Sequence, residues 1–265
     1  MIHGLTAVEI VTDLRALGLQ PGDDVLVHSS LSSLGWVEGG ADTVVDALIA
    51  AVSPGGTVLA PALTGSPEDG PDQPPRMDVR FTPCASWIGR IPEAFRQRPE
   101  AHRSLHPTHS VTAIGERAAW YTVGHEYCTT PCGPGSPYIR LMDRGGYILL
   151  LGCSQESNTS LHALEELAAV PYHLQDQITH AIVVDADGRE LVVSGWLHLW
   201  GWRRNFSRVD EPLRQTGAMR EGRVGQAHAR LIHAGRMREV ILPLIQADPL
   251  YLLADEARVA FMKQR

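Results

Sequence analysis

A histidine followed closely by two carboxylates is the strongest candidate for chemistry in this sequence. His162 precedes Glu165 by three residues and Glu166 by four. Both spacings place the side chains on one face of a helix, within reach of each other. A carboxylate there would fix the imidazole in one tautomer and leave its other ring nitrogen as a proton acceptor. The positive end of the helix macrodipole lies close by and favours a neutral ring. We therefore expect a general base at His162, oriented by either glutamate.

The residues that precede His162 indicate how its helix begins. An apolar run at 147–153 predicts a buried strand, and the polar residues after it predict a turn. Asn158, Thr159 or Ser160 is the expected N-cap. Ion pairs are common on helices, so a histidine in an ordinary salt bridge is the competing interpretation. The place of His162 just after a strand favours catalysis, because ligands of α/β proteins bind beyond the carboxyl ends of strands.

The first two-thirds of the chain alternate between strand-like and helix-like segments. Helical periodicity marks 6–17, 41–52, 86–98 and 136–143, and short apolar runs predict strands at 24–28, 57–60, 110–114 and 147–153. Alternation of this kind predicts an α/β fold: a single three-layer α/β unit over residues 1–265 with a central mixed, mostly parallel sheet. Two apolar runs joined through Asp187-Gly188 predict a β-hairpin over 180–194. The chain beyond the hairpin is expected to form a C-terminal helical cap.

Composition excludes several classes of protein. The chain has 265 residues and a formal net charge of −7, which argues against a nucleic-acid partner and suits a cationic small molecule. Four cysteines are too few for a disulfide scaffold. We find no signal peptide and no apolar run long enough to cross a bilayer, so we expect no membrane partner and a cytoplasmic location.

Three familiar catalytic signatures are incomplete or missing. The segment 152–156 resembles a nucleophile elbow but ends in glutamate instead of glycine. The segment 133–137 follows no strand and lacks the third glycine of a dinucleotide fingerprint, and no phosphate-binding loop of the Walker type is present. Serine hydrolases, dehydrogenases and NTPases are therefore disfavoured.

A second group of histidines lies upstream. His102, His106 and His109 fall within eight residues. Zinc is disfavoured, because the proline after His106 breaks any helix and no carboxylate or thiol stands at ligand spacing. An exposed loop that offers Arg103 and hydroxyls to an anionic ligand is the better interpretation. We expect no metal in this protein, and His28 taken alone is read as a structural histidine.

Three blocks of the sequence together resemble the aminoglycoside 3-N-acetyltransferase family. They are 28–35, 103–110 and 152–166, and the segments 136–138 and 205–206 fit the same pattern. The similarity extends from about residue 5 to residue 255. The resemblance implies a mixed α/β fold, acetyl-CoA as co-substrate, and His162 as general base. Glu165 is the favoured orienting partner and Glu166 the alternative.

The same resemblance implies binding residues. The stretches 28–34 and 103–110 are expected to contact acetyl-CoA, through His28, Ser29, Ser30, Leu31, Ser32, Leu34, Arg103, Ser104, Pro107 and Ser110. Because an aminoglycoside is polycationic, carboxylates should line its cleft, and the candidates are Asp69, Asp72, Asp78, Glu126 and Glu156. Three of these lie in the segment 65–80, whose many prolines, glycines and aspartates predict a long surface loop that closes over the substrate.

The expected reaction is acetyl transfer from acetyl-CoA to the 3-amino group of an aminoglycoside antibiotic, which confers antibiotic resistance. The amine attacks directly in a ternary complex, and donors near Ser29 and Ser30 stabilise the tetrahedral oxyanion. One alternative is an acetyl-CoA-dependent N-acetyltransferase that acts on another amine metabolite. The other is a CoA- or antibiotic-binding protein without turnover. The protein is expected to be a monomer or a homodimer.

Overall fold

The computed structural model describes residues 4–264, which form two β-sheets with helices packed against them. The strands of this part of the chain are β1 (Asp24–Ser29), β2 (Thr57–Pro61), β3 (Arg76–Asp78), β4 (His102–Arg103), β5 (Val111–Gly115), β6 (Tyr147–Leu151), β7 (Leu174–Val184), β8 (Glu190–His198), β9 (Met219–Val224) and β10 (Ala227–His233). The α-helices are α1 (Ala7–Leu17), α2 (Ala41–Val52), α3 (Arg90–Arg96), α4 (Ala118–Thr122), α5 (Pro137–Arg144), α6 (Ser160–Leu167), α7 (Asp210–Gln215), α8 (Ala234–Ala247) and α9 (Asp255–Lys263). Short 3₁₀ helices occur at Leu31–Leu34, Ser86–Ile88, His125–Tyr127, Gln155–Ser157 and Phe206–Val209.

The larger sheet is mixed, as predicted, but it is not mostly parallel. Its strand order in the described chain is β4-β5-β2-β1-β6-β10-β9. Only the central neighbours β2, β1 and β6 run parallel, while β4, β5, β10 and β9 pair antiparallel. The prediction of mostly parallel pairing was wrong because it assumed a helical crossover between all successive strands. Instead β5 returns antiparallel to β2, and β9 and β10 form a hairpin that the sequence analysis missed.

Helices cover both faces of this sheet, which confirms the three-layer α/β prediction. Alternate residues of the strands point to opposite faces. Leu26, Ile148 and Leu150 join one apolar core with residues of α5, α6, α8 and α9. Val27 and Leu149 face the other core, which α1, α2 and α3 complete. The position of α8 and α9 agrees with the predicted C-terminal helical cap.

The smaller sheet contains β3, β7 and β8. Strands β7 and β8 form the predicted antiparallel hairpin, and Gly188 takes the positive φ of 85° that its turn requires. Strand β3 lies within the predicted surface loop 65–80 and pairs parallel to β7. That segment is therefore partly anchored to a sheet.

Local sequence signals set several element boundaries. Thr6 and Glu9 form a capping box that begins α1, and α2 has the predicted bounds. The helix predicted at 86–98 is instead two pieces, because Gly89, with φ at 98°, separates a 3₁₀ turn from α3. Among residues 4–264 the structure contains no helix long and apolar enough to cross a bilayer.

Candidate active site

A cavity of about 820 Å³ opens where the central strands of the large sheet end. Ser29 at the end of β1 and Pro61 at the end of β2 line it, as do Cys153 beyond β6 and His162 on α6. His198 at the end of β8 brings the smaller sheet to the same cavity. The cavity therefore lies at the carboxyl ends of the parallel strands, where ligands of α/β folds are expected to bind.

His162 forms a hydrogen bond with Glu165 at the wall of this cavity. Nδ1 of His162 lies 2.7 Å from Oε2 of Glu165, three residues later on α6. Thr159 is the N-cap of α6, without a side-chain cap bond, while Oδ1 of Asn158 accepts from the amide of Ser160 at 3.2 Å. With its Nδ1–H donated to Glu165, the ring of His162 keeps Nε2 as an acceptor, and the ring is 24% exposed.

Glu165 itself is fully buried and held by two further side chains. Nε of Arg204 donates to Oε1 of Glu165 at 3.3 Å. Nδ1 of His173 lies 3.2 Å from Oε2, and Nη2 of Arg204 lies 3.0 Å from the same His173 nitrogen. A buried carboxylate needs such partners because an isolated charge is costly to desolvate.

The environment shifts the pKa of both members of the pair. Burial on its own would raise the pKa of Glu165, but the charge of His173, the hydrogen bond to His162 and the charge of Arg204 together lower it to about 2. Burial lowers the pKa of His162 to about 4, although its contact with Glu165 acts in the opposite direction. At neutral pH the arrangement is therefore an ionised carboxylate beside a neutral, proton-accepting imidazole.

Glu166 points away from His162 and makes a separate set of contacts. Its two oxygens accept from the amide of Cys132 at 2.9 and 3.1 Å, and Oε1 lies 2.8 Å from Nε2 of His198. Although the sequence spacing permitted either glutamate, only Glu165 contacts His162 in the described structure. Glu166 instead ties α6 to the segment before α5 and to the end of β8.

The cavity wall is rich in histidines that could hold a metal ion. Two sets of side chains offer ligand atoms within 4.8 Å of one another: His162 with His173 and His198, and His109 with Cys132 and His198. The structure thus brings His109 of the upstream group close to these rings, which its loop position in the sequence did not indicate.

The predicted loop after β1 does reach the cavity. Of its candidate residues, those that line the cavity are His28, Ser29, Ser30, Leu31 and Ser32, whereas Leu34 is buried in the core beneath them. Nε2 of His28 and Oγ of Ser29 are buried and have no hydrogen-bond partner among residues 4–264. Both atoms remain able to bind a ligand.

The candidates from the 103–110 stretch do not line this cavity. Arg103 donates to the carbonyls of Thr82 and Ala62 at 2.5 and 3.0 Å and to Oγ of Ser110 at 3.0 Å. Oγ of Ser110 in turn donates to Ala62 at 2.7 Å. Arg103 and Ser110 are therefore engaged with each other and with nearby backbone carbonyls.

The other two members of that stretch are also engaged locally. Oγ of Ser104 bonds Nδ1 of His125 at 2.8 Å, and the carbonyl of Pro107 accepts from Thr64 at 2.6 Å. Thr108 and His109 are the residues of the stretch that line the cavity. The segment between β4 and β5 therefore places the predicted polar residues away from the cavity.

One of the five candidate carboxylates for substrate binding lines the cavity, namely Glu156, which accepts from the amide of Ser207 at 3.0 Å. Asp69 closes a turn by accepting from the amide of Ser66 at 2.8 Å. The remaining three lie elsewhere: Asp72 is exposed, Asp78 pairs with Arg80, and Glu126 follows His125 in a 3₁₀ helix.

Comparisons with known proteins assign the chain to a family. A model of the family described as aminoglycoside 3-N-acetyltransferase matches residues 26–245. The aminoglycoside N(3)-acetyltransferase IV of Salmonella sp is 33% identical over 245 residues, which cover 92% of this chain and 89% of that protein. The chain belongs to this family. Membership of this family confirms the prediction that the protein is an acyltransferase.

Solved structures of family members show the same fold. A histidine-to-alanine mutant of AAC(3)-IVa in complex with a gentamicin superposes with a TM-score of 0.81 at 30% identity, covering 96% of this chain and 93% of that one. The binary complex of AAC-IIIb with CoASH gives a TM-score of 0.78 at 27% identity, with 92% and 97% covered.

Several residues that line the cavity of this acetyltransferase were not predicted from the sequence. Trp87 and Trp200 meet edge to face at the rim, with ring centroids 6.4 Å apart. Arg90 is exposed at the start of α3, lines the cavity and pairs with no carboxylate in the described chain. Arg203 and Arg204 follow three tryptophans in the sequence. The contact of Arg204 with Glu165 could not be predicted, because the two residues are 39 positions apart in the chain.

Proposed function

We propose that this protein transfers the acetyl group of acetyl-CoA to the 3-amino group of an aminoglycoside. The observation that carries the proposal is the His162–Glu165 pair, which faces a cavity formed by the ends of the parallel strands. Family membership supports the proposal, as do the complexes of related enzymes with a gentamicin and with CoASH.

His162 acts as the general base in this proposal. An aminoglycoside amine is mostly protonated near neutral pH and must lose a proton to become nucleophilic. Once the ammonium group has released that proton to solvent, the neutral amine nitrogen bonds to the thioester carbonyl carbon. Nε2 of neutral His162 accepts the second proton, which the nitrogen loses as this bond forms. The tetrahedral intermediate collapses by breaking the carbon–sulfur bond, and the imidazolium returns its proton to the departing thiolate. Glu165 stabilises the transient charge of the ring.

The oxyanion of the tetrahedral intermediate needs a donor on the opposite side of the carbonyl from the base. Ser29 supplies one, because its Oγ is buried at the cavity and has no other partner among the described residues. A donor that is fixed before the reaction stabilises developing charge without reorganisation. The expected loss in kcat for Ser29→Ala is about 10²-fold to 10³-fold.

Direct attack is favoured over an acetyl-enzyme. Cys153 is the cysteine that lines the cavity, and burial raises the pKa of its thiol to about 11. A thiol that stays protonated at neutral pH is a poor nucleophile. Mass spectrometry of the protein after a single turnover should therefore find no acetyl group on Cys153, and a stable adduct there would contradict direct attack.

The two substrates are expected to divide the cavity by charge. The exposed guanidinium of Arg90 suits a phosphate of CoA. Glu156 supplies the carboxylate for an ammonium group of the antibiotic. Glu156→Gln should raise KM for the aminoglycoside and leave KM for acetyl-CoA unchanged.

An assay of acetylated product against a panel of aminoglycosides tests the proposal. We expect product with the wild type and a loss of about 10²-fold to 10⁴-fold in kcat for His162→Ala, as is typical of a removed general base. His180→Ala is the matched control, because His180 is exposed on β7 outside the cavity. A folded protein that acetylates none of the panel would refute the proposal.

A second acceptor class follows from one observation. In the described chain Glu156 is the sole carboxylate among the residues that line the cavity, which suits an amine with fewer charges than an aminoglycoside. Primary amines of metabolites belong in the same assay. Faster turnover of such amines than of any antibiotic would favour this second function.

A further inference from the structure

Three imidazoles from different elements meet in the cavity wall. His162 belongs to α6, His173 precedes β7 and His198 ends β8. Their ring centroids lie 5.0 Å apart for His162 and His173, 5.0 Å for His162 and His198, and 4.1 Å for His173 and His198. One ligand nitrogen of each ring lies within 4.8 Å of the others.

The rings of His162 and His198 each form a hydrogen bond with a carboxylate behind them, whereas Nδ1 of His173 accepts from Nη2 of Arg204 at 3.0 Å. Glu165 lies 2.7 Å from Nδ1 of His162 and 3.2 Å from Nδ1 of His173. Glu166 lies 2.8 Å from Nε2 of His198. For His162 and His198, a carboxylate that accepts the N–H fixes the tautomer and directs the other nitrogen, which is the usual arrangement behind metal-bound histidines.

An unpartnered atom points to a ligand at this place. His173 is 1% exposed, and its Nε2 makes no hydrogen bond to any of residues 4–264. Oε1 of Glu166 lies 3.7 Å from this nitrogen, beyond hydrogen-bond distance. A buried polar atom left without a partner costs about 1–3 kcal/mol, so an occupant that binds it is favoured.

We propose that His162, His173 and His198 form a site for a divalent transition-metal ion of the Zn²⁺ type, with the cavity side open as its fourth position. Three histidines and one open position are a known zinc arrangement. Ligand nitrogens about 2.0–2.1 Å from a tetrahedral ion lie about 3.3 Å from one another, so the rings need to approach each other by at most roughly 1.5 Å.

Metal binding has a consequence for the reaction. The ion takes the lone pair of Nε2 of His162, which the amine needs as its proton acceptor. A bound ion therefore inhibits acetyl transfer. This consequence rests on the proposed function, whereas the binding of the ion does not.

The test is a titration of chelator-treated protein with Co²⁺ alone, read by visible absorption, and with Zn²⁺ alone, read by calorimetry. We expect one ion per chain and the intense visible bands of tetrahedral cobalt. His173→Gln should weaken binding by at least about tenfold, since outer partners alone change metal affinity by that much. His180→Gln, which alters an exposed histidine of β7, should bind as the wild type does.

A second variant separates this site from the deeper set with Cys132. If Co²⁺ gives a thiolate charge-transfer band that Cys132→Ser removes, the ion occupies the His109, Cys132 and His198 set and the proposal is wrong. Absence of binding, or binding that His173→Gln leaves unchanged in a protein with wild-type circular dichroism, also overturns it.

Inhibition is measured separately by mass spectrometry of the acetylated amine. We expect product formation to fall as Zn²⁺ fills the site and to recover when a chelator removes it. If the ion binds and the rate is unchanged, the inhibitory role is wrong. If metal-free protein forms no product, the proposed function fails while the binding data still decide the metal site.

Discussion

Two neighbouring glutamates on one helix make different contacts. Glu165 bonds His162 at 2.7 Å, and Glu166 bonds the amide of Cys132 and the ring of His198. Glu165→Gln should therefore lower kcat by about 10²-fold or more, because the ring loses the charge that stabilises it when protonated. Glu166→Gln is the matched variant and should lower kcat much less, because Glu166 does not contact His162.

The measurement is steady-state kinetics of both variants, with thermal unfolding as the check on folding. Equal losses of kcat in the two variants would contradict the assignment of Glu165 as the positioning residue. KM for acetyl-CoA should change in neither, since neither glutamate lines the cavity.

Contacts between residues close in sequence could be predicted, and contacts between distant residues could not. The contact between His162 and Glu165 spans three residues of one helix, so spacing alone was sufficient to propose it. The position of Arg103 outside the cavity could not be predicted, because its partners, the carbonyls of Thr82 and Ala62, lie about twenty and forty residues away. Local sequence contains no signal for such distant backbone acceptors.

At the scale of elements, the turn after β6 sets the position of α6 relative to the loop after β1. Oγ of Ser33 donates to the carbonyl of Gly152 at 3.0 Å. Gly152 has a φ of 72°, and a Cβ there would lie 2.5 Å from Cβ of Ser33. The close approach of these two loops requires glycine.

Gly152→Ala should therefore lower the free energy of unfolding by more than the cost of a positive φ alone, because the added Cβ also clashes with Ser33. Gly217→Ala is the matched control, because Gly217 has a φ of 65° with nothing within 4 Å of an added Cβ. The control should cost about 1 kcal/mol, and Gly152→Ala about 2–3 kcal/mol together with reduced kcat. Denaturant unfolding measures both, and equal costs would show that the loop contact does not matter.

Elements differed in how well the sequence predicted them. The helix α2 and the β7–β8 hairpin have strong local signals, respectively helical periodicity and an Asp-Gly turn, and both were found. Strand β9 was missed because exposed charged residues interrupt its alternation, at Arg220, Glu221 and Arg223. Its pairing with β10 is what defines it as a strand.

At the scale of the whole molecule, Asp24 joins β1, α4 and α5 at the amino end of β1, opposite the cavity. It accepts hydrogen bonds from Arg117 at 2.7 Å, Tyr121 at 2.8 Å and Arg144 at 3.1 Å. Burial alone would raise the pKa of Asp24, but the bonds from Arg117 and Tyr121 and the charge of Arg117 outweigh it, and the pKa lies below its usual value.

A depressed folded-state pKa means that the carboxylate stabilises the fold above the unfolded pKa of about 3.9, and that this stabilisation is lost as the pH falls through the lower folded value. Asp24→Asn should cost about 2 kcal/mol at pH 7 and progressively less as the pH falls below about 4. Urea unfolding at a series of pH values measures this, and a cost that is the same at pH 3 and pH 7 would contradict it.

The cavity draws its residues from both sides of the β7–β8 turn, whose tip at Asp187 and Gly188 is exposed. His162 is contributed by the chain before that tip, and His198 and Arg204 by the chain after it. Neither piece alone contains the set. A protein nicked at this tip and separated into two fragments would therefore regain acetyl transfer only when both halves reassociate, which makes the activity a reporter of fragment complementation.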